Sequence, residues 1–233
     1  MENLVRSHCL SKPPAKDWRN ILRIIFVLLI LPVICIVTRP YTPLDDSSEG
    51  FFELLIKHYE KGQLTPQIFK LKVGDALSVK GPFNKLPYKP NMKKRIGMVA
   101  GGTGLTPMLQ LVHEVLRNPD DKTEITFVFA NISEEDILLR YHLEWLASNH
   151  KNFKLHYVLE RPPANWTGSV GYVTMDVLRK HMPSPSDDNL VLVCGPPPMM
   201  KMISGSKAPD FTQGELEGYL KDLGYNKDQV FKF

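Results

Sequence analysis

Residues 98–108 carry the chain from an apolar strand through a glycine-rich turn into the start of a helix. The turn contains Gly101, Gly102 and Gly104, and Pro107 follows it. Because glycine has no Cβ atom, the backbone of this turn can approach a ligand closely, while Pro107 suits the first turn of a helix. The free N–H groups at such a helix start favour a bound anion. The feature therefore predicts a pyrophosphate site between a strand and a helix.

A second apolar strand runs into a rigid turn at residues 191–199, where Cys194 and Gly195 precede three prolines. The predicted strands are 124–130, 153–159 and 190–194, and the predicted helices are 107–117, 133–148, 174–181 and a further turn from Pro198. This alternation of strands and helices predicts a parallel sheet with helices on both faces. Ligands of such sheets lie beyond the carboxyl ends of the strands, so the two turns can face one crevice.

Two of the predicted helices have a defined apolar face. The residues of these faces are Met108, Leu111, Val112, Val115 and Leu116 in the first helix, and Ile137, Leu138, Tyr141 and Trp145 in the second. Ser133 and Asp136 have the spacing of a capping box, with Asp in place of the usual Glu or Gln, and predict the start of the second helix. We expect both apolar faces to be buried.

Shorter elements are predicted before residue 96. Alternation of side chains predicts strands at 51–59 and 76–80, separated by Gly/Pro turns, which is typical of a small antiparallel β unit. From residue 96 onward, longer helices alternate with the strands, and this change places a domain boundary in the proline-bearing stretch 86–95. We therefore divide the chain into residues 1–38, 39–92 and 93–233.

The amino-terminal residues differ in kind from the rest of the chain. Residues 21–37 are apolar except for Arg23, and basic side chains outnumber acidic ones before them. This pattern favours a membrane anchor, although the stretch is slightly short for a full span of about 20 residues. A cleaved targeting peptide and a buried pair of strands are the alternatives.

Composition excludes several classes of function. A formal net charge of +4 without a clustered basic stripe indicates that nucleic acid is not a partner, and the cluster 93–95 is interpreted as a solvated loop. Three widely spaced cysteines indicate neither a disulfide framework nor a zinc site, and no histidine spacing indicates a metal site. The glycine turn lacks the Lys-Ser/Thr pair of a P-loop, which excludes a P-loop nucleotide triphosphatase.

Residues 39–43, Arg39-Pro40-Tyr41-Thr42-Pro43, form a second candidate site. In an extended segment Arg39 and Tyr41 would share one face, where the guanidinium could pair with a phosphate and the phenol ring could lie on a flat heterocycle. Without further context, an ordinary edge strand explains the same residues.

Taken together, these motifs resemble the NADH-cytochrome b5 reductase family of the ferredoxin-reductase superfamily. The resemblance rests on residues 39–43, 55–59, 62–65, 101–107 and 194–199, and the carboxyl-terminal half resembles plant mitochondrial-type members. It implies a fold of two parts: an antiparallel FAD-binding β-barrel, only partial here, followed by a Rossmann-like parallel-sheet NAD-binding domain. It also implies that hydride passes from NADH to FAD and that single electrons then leave for cytochrome b5 or a similar haem protein.

The resemblance also implies roles for individual residues. The FAD-binding set is Arg39, Pro40, Tyr41, Thr42, Leu55, Lys57, Gln63, Leu64 and Thr65, where many relatives have Ser in place of Thr65. The NADH-binding set is Gly101, Gly102, Thr103, Gly104, Thr106, Pro107, Glu160, Cys194, Gly195, Pro196, Pro197 and Met199. Cys194, Thr106 and Lys57 are the implied catalytic residues, since they would lie beside the flavin and the nicotinamide. Cys194 also has an ordinary interpretation as a small buried residue.

Glu160 bears on the choice of nicotinamide cofactor, because the resemblance places an acidic residue near the adenosine ribose. A carboxylate there accepts a hydrogen bond from the 2′-hydroxyl and repels a 2′-phosphate, which favours NADH over NADPH. A solvated loop carboxylate is the alternative interpretation.

The pattern departs from the family before residue 39, where members have several barrel strands and this chain has 38 basic or apolar residues. Either residues 21–37 are an anchor and the barrel lacks strands, or this stretch replaces some of them. The expected function is an FAD-dependent reductase, and the alternative is a non-catalytic NADH-binding module that cannot retain FAD. The expected location is the mitochondrial outer membrane or intermembrane space, with the endoplasmic reticulum as the alternative.

Overall fold

The computed structural model describes residues 10–11, 37–44, 50–83 and 85–233. The chain divides into two compact units, Met1–Pro82 and Phe83–Phe233. Except for its last residue, the predicted anchor at 21–37 lies outside the described residues. Among the residues that are described, no helix is both long enough and apolar enough to cross a membrane.

The first unit contains little regular structure within its described ranges. Strand β1 (Leu10–Ser11) pairs antiparallel with β2 (Phe51–Phe52), and helix α1 spans Thr65–Ile68. The strand predicted over 51–59 is wrong beyond residue 52: in the described part of the chain, a single bridge between Leu54 and Pro43 continues it. Since Pro43 has no N–H to donate, it cannot extend the ladder.

The strand predicted at 76–80 is also wrong, because the structure has no strand at these residues. Val79, which the predicted alternation would place on a defined face, is 59% exposed. An alternating pattern specifies a strand only when one of its faces is buried, and this segment lacks such a face.

The second unit is an α/β domain built on six parallel strands. In chain order its elements are β3 (Arg95–Gly101), α2 (Leu105–Arg117), β4 (Glu124–Asn131), α3 (Arg140–Asn149), β5 (Phe153–Leu159), β6 (Ser169–Val170), α4 (Met175–His181), β7 (Asn189–Cys194), α5 (Pro197–Ser204), α6 (Gly218–Asp222) and β8 (Val230–Lys232). Short 3₁₀ turns lie at Gly102–Gly104, Glu134–Asp136 and Lys227–Gln229. The predicted parallel sheet is confirmed.

The order of strands across the sheet is β6-β5-β4-β3-β7-β8. From β3 the chain proceeds outward through β4, β5 and β6, then crosses back to place β7 on the other side of β3. This reversal is the topological switch point at which doubly wound sheets bind their ligands. Ala100 of β3 is paired with Cys194 of β7, so both strands end at the same level.

The sheet is covered on both faces. One core cluster joins Val99, Val128, Val158, Val191 and Val193 of the strands to residues of α4, α5 and α6. Side chains alternate along a strand, so the residues between these valines face the opposite side, which α2 and α3 cover. As predicted, Met108, Leu111, Val112 and Val115 of α2 are buried, while Leu116 is partly exposed.

The predicted helix over 133–148 is partly wrong. The capping box forms, since the N–H of Ser133 donates to the Asp136 carboxylate at 3.3 Å, but it closes only a 3₁₀ turn. Leu139 then adopts a left-handed conformation with φ 54°, and the α-helix begins at Arg140. This interruption rotates the helix relative to the predicted phase.

The buried face of α3 therefore differs from the predicted one. Leu143 and Leu146 are buried, whereas Tyr141 is 85% exposed and Trp145 is 57% exposed. Ile137, which precedes the helix, is buried as predicted.

The segment before β3 belongs to the second unit and packs against the residues that precede β4. The Tyr88 hydroxyl donates to the Asp121 carboxylate at 2.5 Å, and the N–H of Asn91 donates to the same carboxylate at 3.2 Å. Burial by itself would raise the pKa of Asp121, but the hydrogen bonds from Tyr88 and Thr123 lower it below the usual value. The sequence placed the boundary between residues 92 and 93, whereas the division of the chain into the two units falls ten residues earlier, after Pro82.

Candidate nucleotide-binding site

The glycine-rich turn after β3 and the turn that follows Cys194 meet at the switch point between β3 and β7. A Cβ atom on Gly104 would lie 2.2 Å from the carbonyl oxygen of Cys194, and one on Gly101 would lie 2.7 Å from the Met199 sulfur. No side chain fits at Gly104, because the obstructing atom belongs to the backbone. Glycine at these positions therefore lets the two turns pack directly against each other, whereas the sequence predicted only that they can face one crevice.

The first turn has the features of an anion-binding helix start. Gly102 has φ 53°, and nothing lies within 4 Å of the position that a Cβ atom would take. Helix α2 begins without a side-chain cap and without an acidic residue in its first turn. The hydroxyl of Thr106, which is 7% exposed, donates to the carbonyl of Thr103 at 3.3 Å. The open cradle and uncapped N–H groups fit a pyrophosphate.

Cys194 ends β7 at the centre of this arrangement. Burial raises the pKa of its thiol to about 11, although the nearby Lys207 acts in the opposite direction. The thiol is therefore protonated at neutral pH and is not a thiolate nucleophile. A neutral, compact sulfur group suits packing beside an uncharged ring.

Lys207 is a site neighbour that the sequence analysis missed. It lies in the loop between α5 and α6, and burial together with the charge of Lys85 lowers its pKa. No periodicity or motif marks this loop, so only the tertiary structure brings its charge towards Cys194.

Glu160 lies at the same edge of the sheet as the two turns. It directly follows β5, is exposed, and donates its backbone N–H to the carbonyl of Asn131 at 3.1 Å. Because β4 alone separates β5 from β3, Glu160 lies on the order of 10 Å sideways from the glycine turn. A dinucleotide that starts at the turn can extend along this edge.

Asn131 is a second residue that sequence reasoning missed. It is the last residue of β4, and its carboxamide nitrogen and oxygen are both buried with no hydrogen-bond partner among the described residues. Buried side-chain amides are nearly always hydrogen-bonded in native proteins. A polar residue that directly follows the apolar run 127–130 of β4 was the available signal.

The candidate residues of the first unit form a separate group. Burial raises the pKa of Tyr41, while the adjacent charge of Arg39 lowers it, and Tyr59 lies near enough to act on it as well. The hydroxyl of Thr65 donates to the carbonyl of Tyr59 and accepts from its N–H, both at 3.1 Å. The structure thus connects the 39–43 segment to the 62–65 turn through Tyr59.

The other predicted residues of this unit differ in exposure. Pro40 and Gln63 are exposed, while Thr42, Leu55, Lys57 and Leu64 are partly buried. Leu64 precedes the first turn of α1, and Arg39 donates from Nη1 to the neighbouring Thr38 carbonyl at 2.8 Å. An exposed guanidinium whose hydrogen bond among the described residues goes to a neighbouring carbonyl fits pairing with a phosphate.

Two family models match the chain. Residues 26–88 match the oxidoreductase FAD-binding domain, and residues 98–205 match the oxidoreductase NAD-binding domain. The second match spans both turns of the site described above.

Similar proteins carry related names. The chain is 52% identical over 198 residues to an NADH-cytochrome b5 reductase-like protein of Arabidopsis thaliana, covering 84% of this chain and 60% of that protein. It is 48% identical to NADH-cytochrome b5 reductase 1 of Dictyostelium discoideum, covering 84% of this chain and 65% of that protein. The chain thus spans about three fifths of the length of these relatives.

Among solved structures, the chain is similar to the cytochrome b5 reductase domain of Ulva prolifera nitrate reductase. The two share 33% sequence identity with a TM-score of 0.76, and the match covers 87% of this chain and 81% of that domain.

Proposed function

The chain belongs to the cytochrome b5 reductase family of FAD- and NAD-binding oxidoreductases, and from this premise we propose that it passes electrons from NADH through FAD to cytochrome b5. The observation that carries the proposal is the meeting of the two turns at the switch point. In that arrangement a pyrophosphate can bind at the start of a helix, and a flat ring can pack against a compact, uncharged side chain.

When bound, the flavin accepts hydride from the nicotinamide and releases single electrons, so the protein supplies binding and orientation. In the second unit, Gly101 to Gly104 would admit the pyrophosphate, while Cys194 and Met199 would pack beside the nicotinamide. In the first unit, Arg39 would pair with the FAD pyrophosphate and Tyr41 would lie against the flavin ring. Thr106 would orient the ring through its buried hydroxyl.

Glu160 supports a preference for NADH. Replacement by glutamine removes the charge that would repel a 2′-phosphate, so Glu160→Gln is expected to improve NADPH use relative to NADH by about tenfold, or about 1.4 kcal/mol. Steady-state kinetics with both cofactors measure the ratio. The matched control is Glu124→Gln, since Glu124 is also an exposed carboxylate but lies at the opposite, amino-terminal end of β4. An unchanged ratio in the Glu160 variant would refute its role.

The function is tested on the full chain purified in detergent and incubated with FAD. Flavin absorbance that stays with the protein and bleaches on anaerobic addition of NADH would support the reductase. Subsequent reduction of cytochrome b5, followed in the haem spectrum, would support the proposed acceptor. If no flavin is retained while NADH still binds, the alternative of an NADH-binding module replaces the reductase.

We further propose that residues 21–37 attach the protein to a membrane, with the mitochondrial outer membrane or intermembrane space favoured over the endoplasmic reticulum. The support is the sequence alone: an apolar stretch with one charge, preceded by an excess of basic residues. Fractionation of cells followed by carbonate extraction tests the attachment. Release of the full chain into the soluble fraction would contradict it.

A further inference from the structure

Asn131 stands beside the glycine turn but takes no part in the site as described. Gly101 of β3 is paired with Ala130 of β4, so Asn131 lies level with the start of the Gly102–Gly104 turn. Residues of β4 also contact that turn. Since Ala130 packs into the core on the α4–α6 face, Asn131 faces the opposite side, which is covered by α2.

The carboxamide of Asn131 is in an unfavourable state. Its backbone is fixed, because its carbonyl accepts the N–H of Glu160 at 3.1 Å. Both polar side-chain atoms are nevertheless buried, and neither has a partner among the described residues. Burying an amide without partners destabilises a protein, so an apolar residue of the same size would fit this position better.

The neighbouring turn can supply the missing partners. A carboxamide both donates and accepts, so it can bond the N–H and C=O groups of a backbone turn. Gly102 has a left-handed backbone conformation that favours glycine, and nothing lies within 4 Å of the position that its Cβ atom would take. Within the described ranges, the N-cap residue of α2 makes no side-chain hydrogen bond to the helix start. Since nothing packs against the Cβ position of Gly102, a change in the backbone of the turn at this residue would displace no side chain there.

We propose that Asn131 is a positioning residue of the nucleotide site, whose carboxamide bonds the Gly102–Gly104 turn when a dinucleotide pyrophosphate orders that turn. Hydrogen bonds that form only in the nucleotide-bound conformation increase the affinity, because they stabilise that conformation relative to the nucleotide-free one. This inference rests on the proposed function, since it requires that the turn binds a dinucleotide.

The test compares two variants that each remove unpartnered buried polar atoms. Asn131→Leu replaces the carboxamide with an apolar group of similar size. Tyr157→Phe is the matched control: its hydroxyl is also buried without a partner among the described residues, on the same face of the sheet but one strand further from the turn. The charged groups that affect the pKa of the Tyr157 hydroxyl are Glu144 and Arg140 on α3.

Three quantities are measured on the full chain: the Tm without nucleotide, the Kd for NAD⁺ by calorimetry, and hydrogen exchange of the peptide spanning the turn. Asn131→Leu is expected to raise the Tm by about 3 °C and to weaken NAD⁺ binding by about tenfold. NAD⁺ should slow exchange in the turn of the wild type and slow it less in this variant. Tyr157→Phe should raise the Tm without changing the Kd.

The outcomes separate the inference from the function on which it rests. If Asn131→Leu lowers the Tm, or binds NAD⁺ within twofold of the wild type, Asn131 is a structural residue and the inference is overturned. If the wild type itself does not bind NAD⁺, both the inference and the proposed function fail.

Discussion

His156 and His181 form a stacked pair on the α4 side of the sheet, with ring centroids 3.8 Å apart. Burial and the charge of His156 lower the pKa of His181 from 6.5 to about 4. Burial also lowers the pKa of His156. Lys180, the neighbouring cation, acts in the same direction on both rings. The fold therefore holds both rings neutral at physiological pH.

This pair predicts a loss of stability in acid. Because the folded pKa values lie below the unfolded ones, the unfolded chain binds more protons between about pH 6.5 and pH 4, and the free energy of unfolding falls as pH falls through this window. Urea unfolding at successive pH values measures the slope. His181→Gln should reduce the slope. Equal slopes in wild type and His181→Gln would contradict the assignment.

Lys232 is a buried cation whose ammonium donates to three backbone carbonyls. The acceptors are Ser204 at 3.3 Å, Ser206 at 3.2 Å and Glu215 at 2.8 Å. Lys232→Met would remove this donor from all three carbonyls, of which that of Ser204 keeps the N–H of Glu217 at 3.2 Å, and is expected to destabilise the protein by about 2 kcal/mol. Trypsin should also cleave faster after Lys207, in the loop that Lys232 holds. Lys227→Met, at an exposed position, is the control, and equal cleavage rates would refute the role.

Among the elements, the contact between the two turns depends on Gly104. A methyl group there would lie 2.2 Å from the carbonyl of Cys194, so the turns must separate. Gly104→Ala is expected to lower the free energy of unfolding by about 3 kcal/mol and to abolish tight NAD⁺ binding. In Gly102→Ala the added methyl meets open space, so only backbone strain of about 1–2 kcal/mol is expected. Denaturant unfolding distinguishes the two, and equal losses would contradict the packing argument.

Helix α3 illustrates the limit of periodicity for an element. The capping-box residues Ser133 and Asp136 were identified from spacing, because that interaction is local. The left-handed backbone at Leu139 was not, since leucine rarely adopts this conformation and no sequence pattern announces it. One such residue changed which face of the helix is buried and left Tyr141 and Trp145 exposed.

For the whole molecule, the distribution of regular structure predicts unequal protection of the two units. Strands β3, β4 and β7 lie inside the six-stranded sheet, whereas β1 and β2 of the first unit have two residues each. Hydrogen exchange of the full chain should therefore be slowest in β3, β4 and β7 and faster in the described part of residues 50–82. Exchange in 50–82 as slow as in the sheet would show that this prediction is wrong.

The sequence by itself determined the parallel sheet, the positions of α2, α4 and α5 and the two turns, because each depends on local periodicity or on glycine and proline at fixed positions. The tertiary structure alone decided that β7 returns to lie beside β3, which brings Cys194 to the glycine turn. It also decided which polar groups lost their contact with water: the unpartnered carboxamide of Asn131, the neutral His156–His181 pair and the buried ammonium of Lys232. Burial depends on residues distant in the chain, so the energetic consequences of burying these polar groups cannot be derived from local sequence.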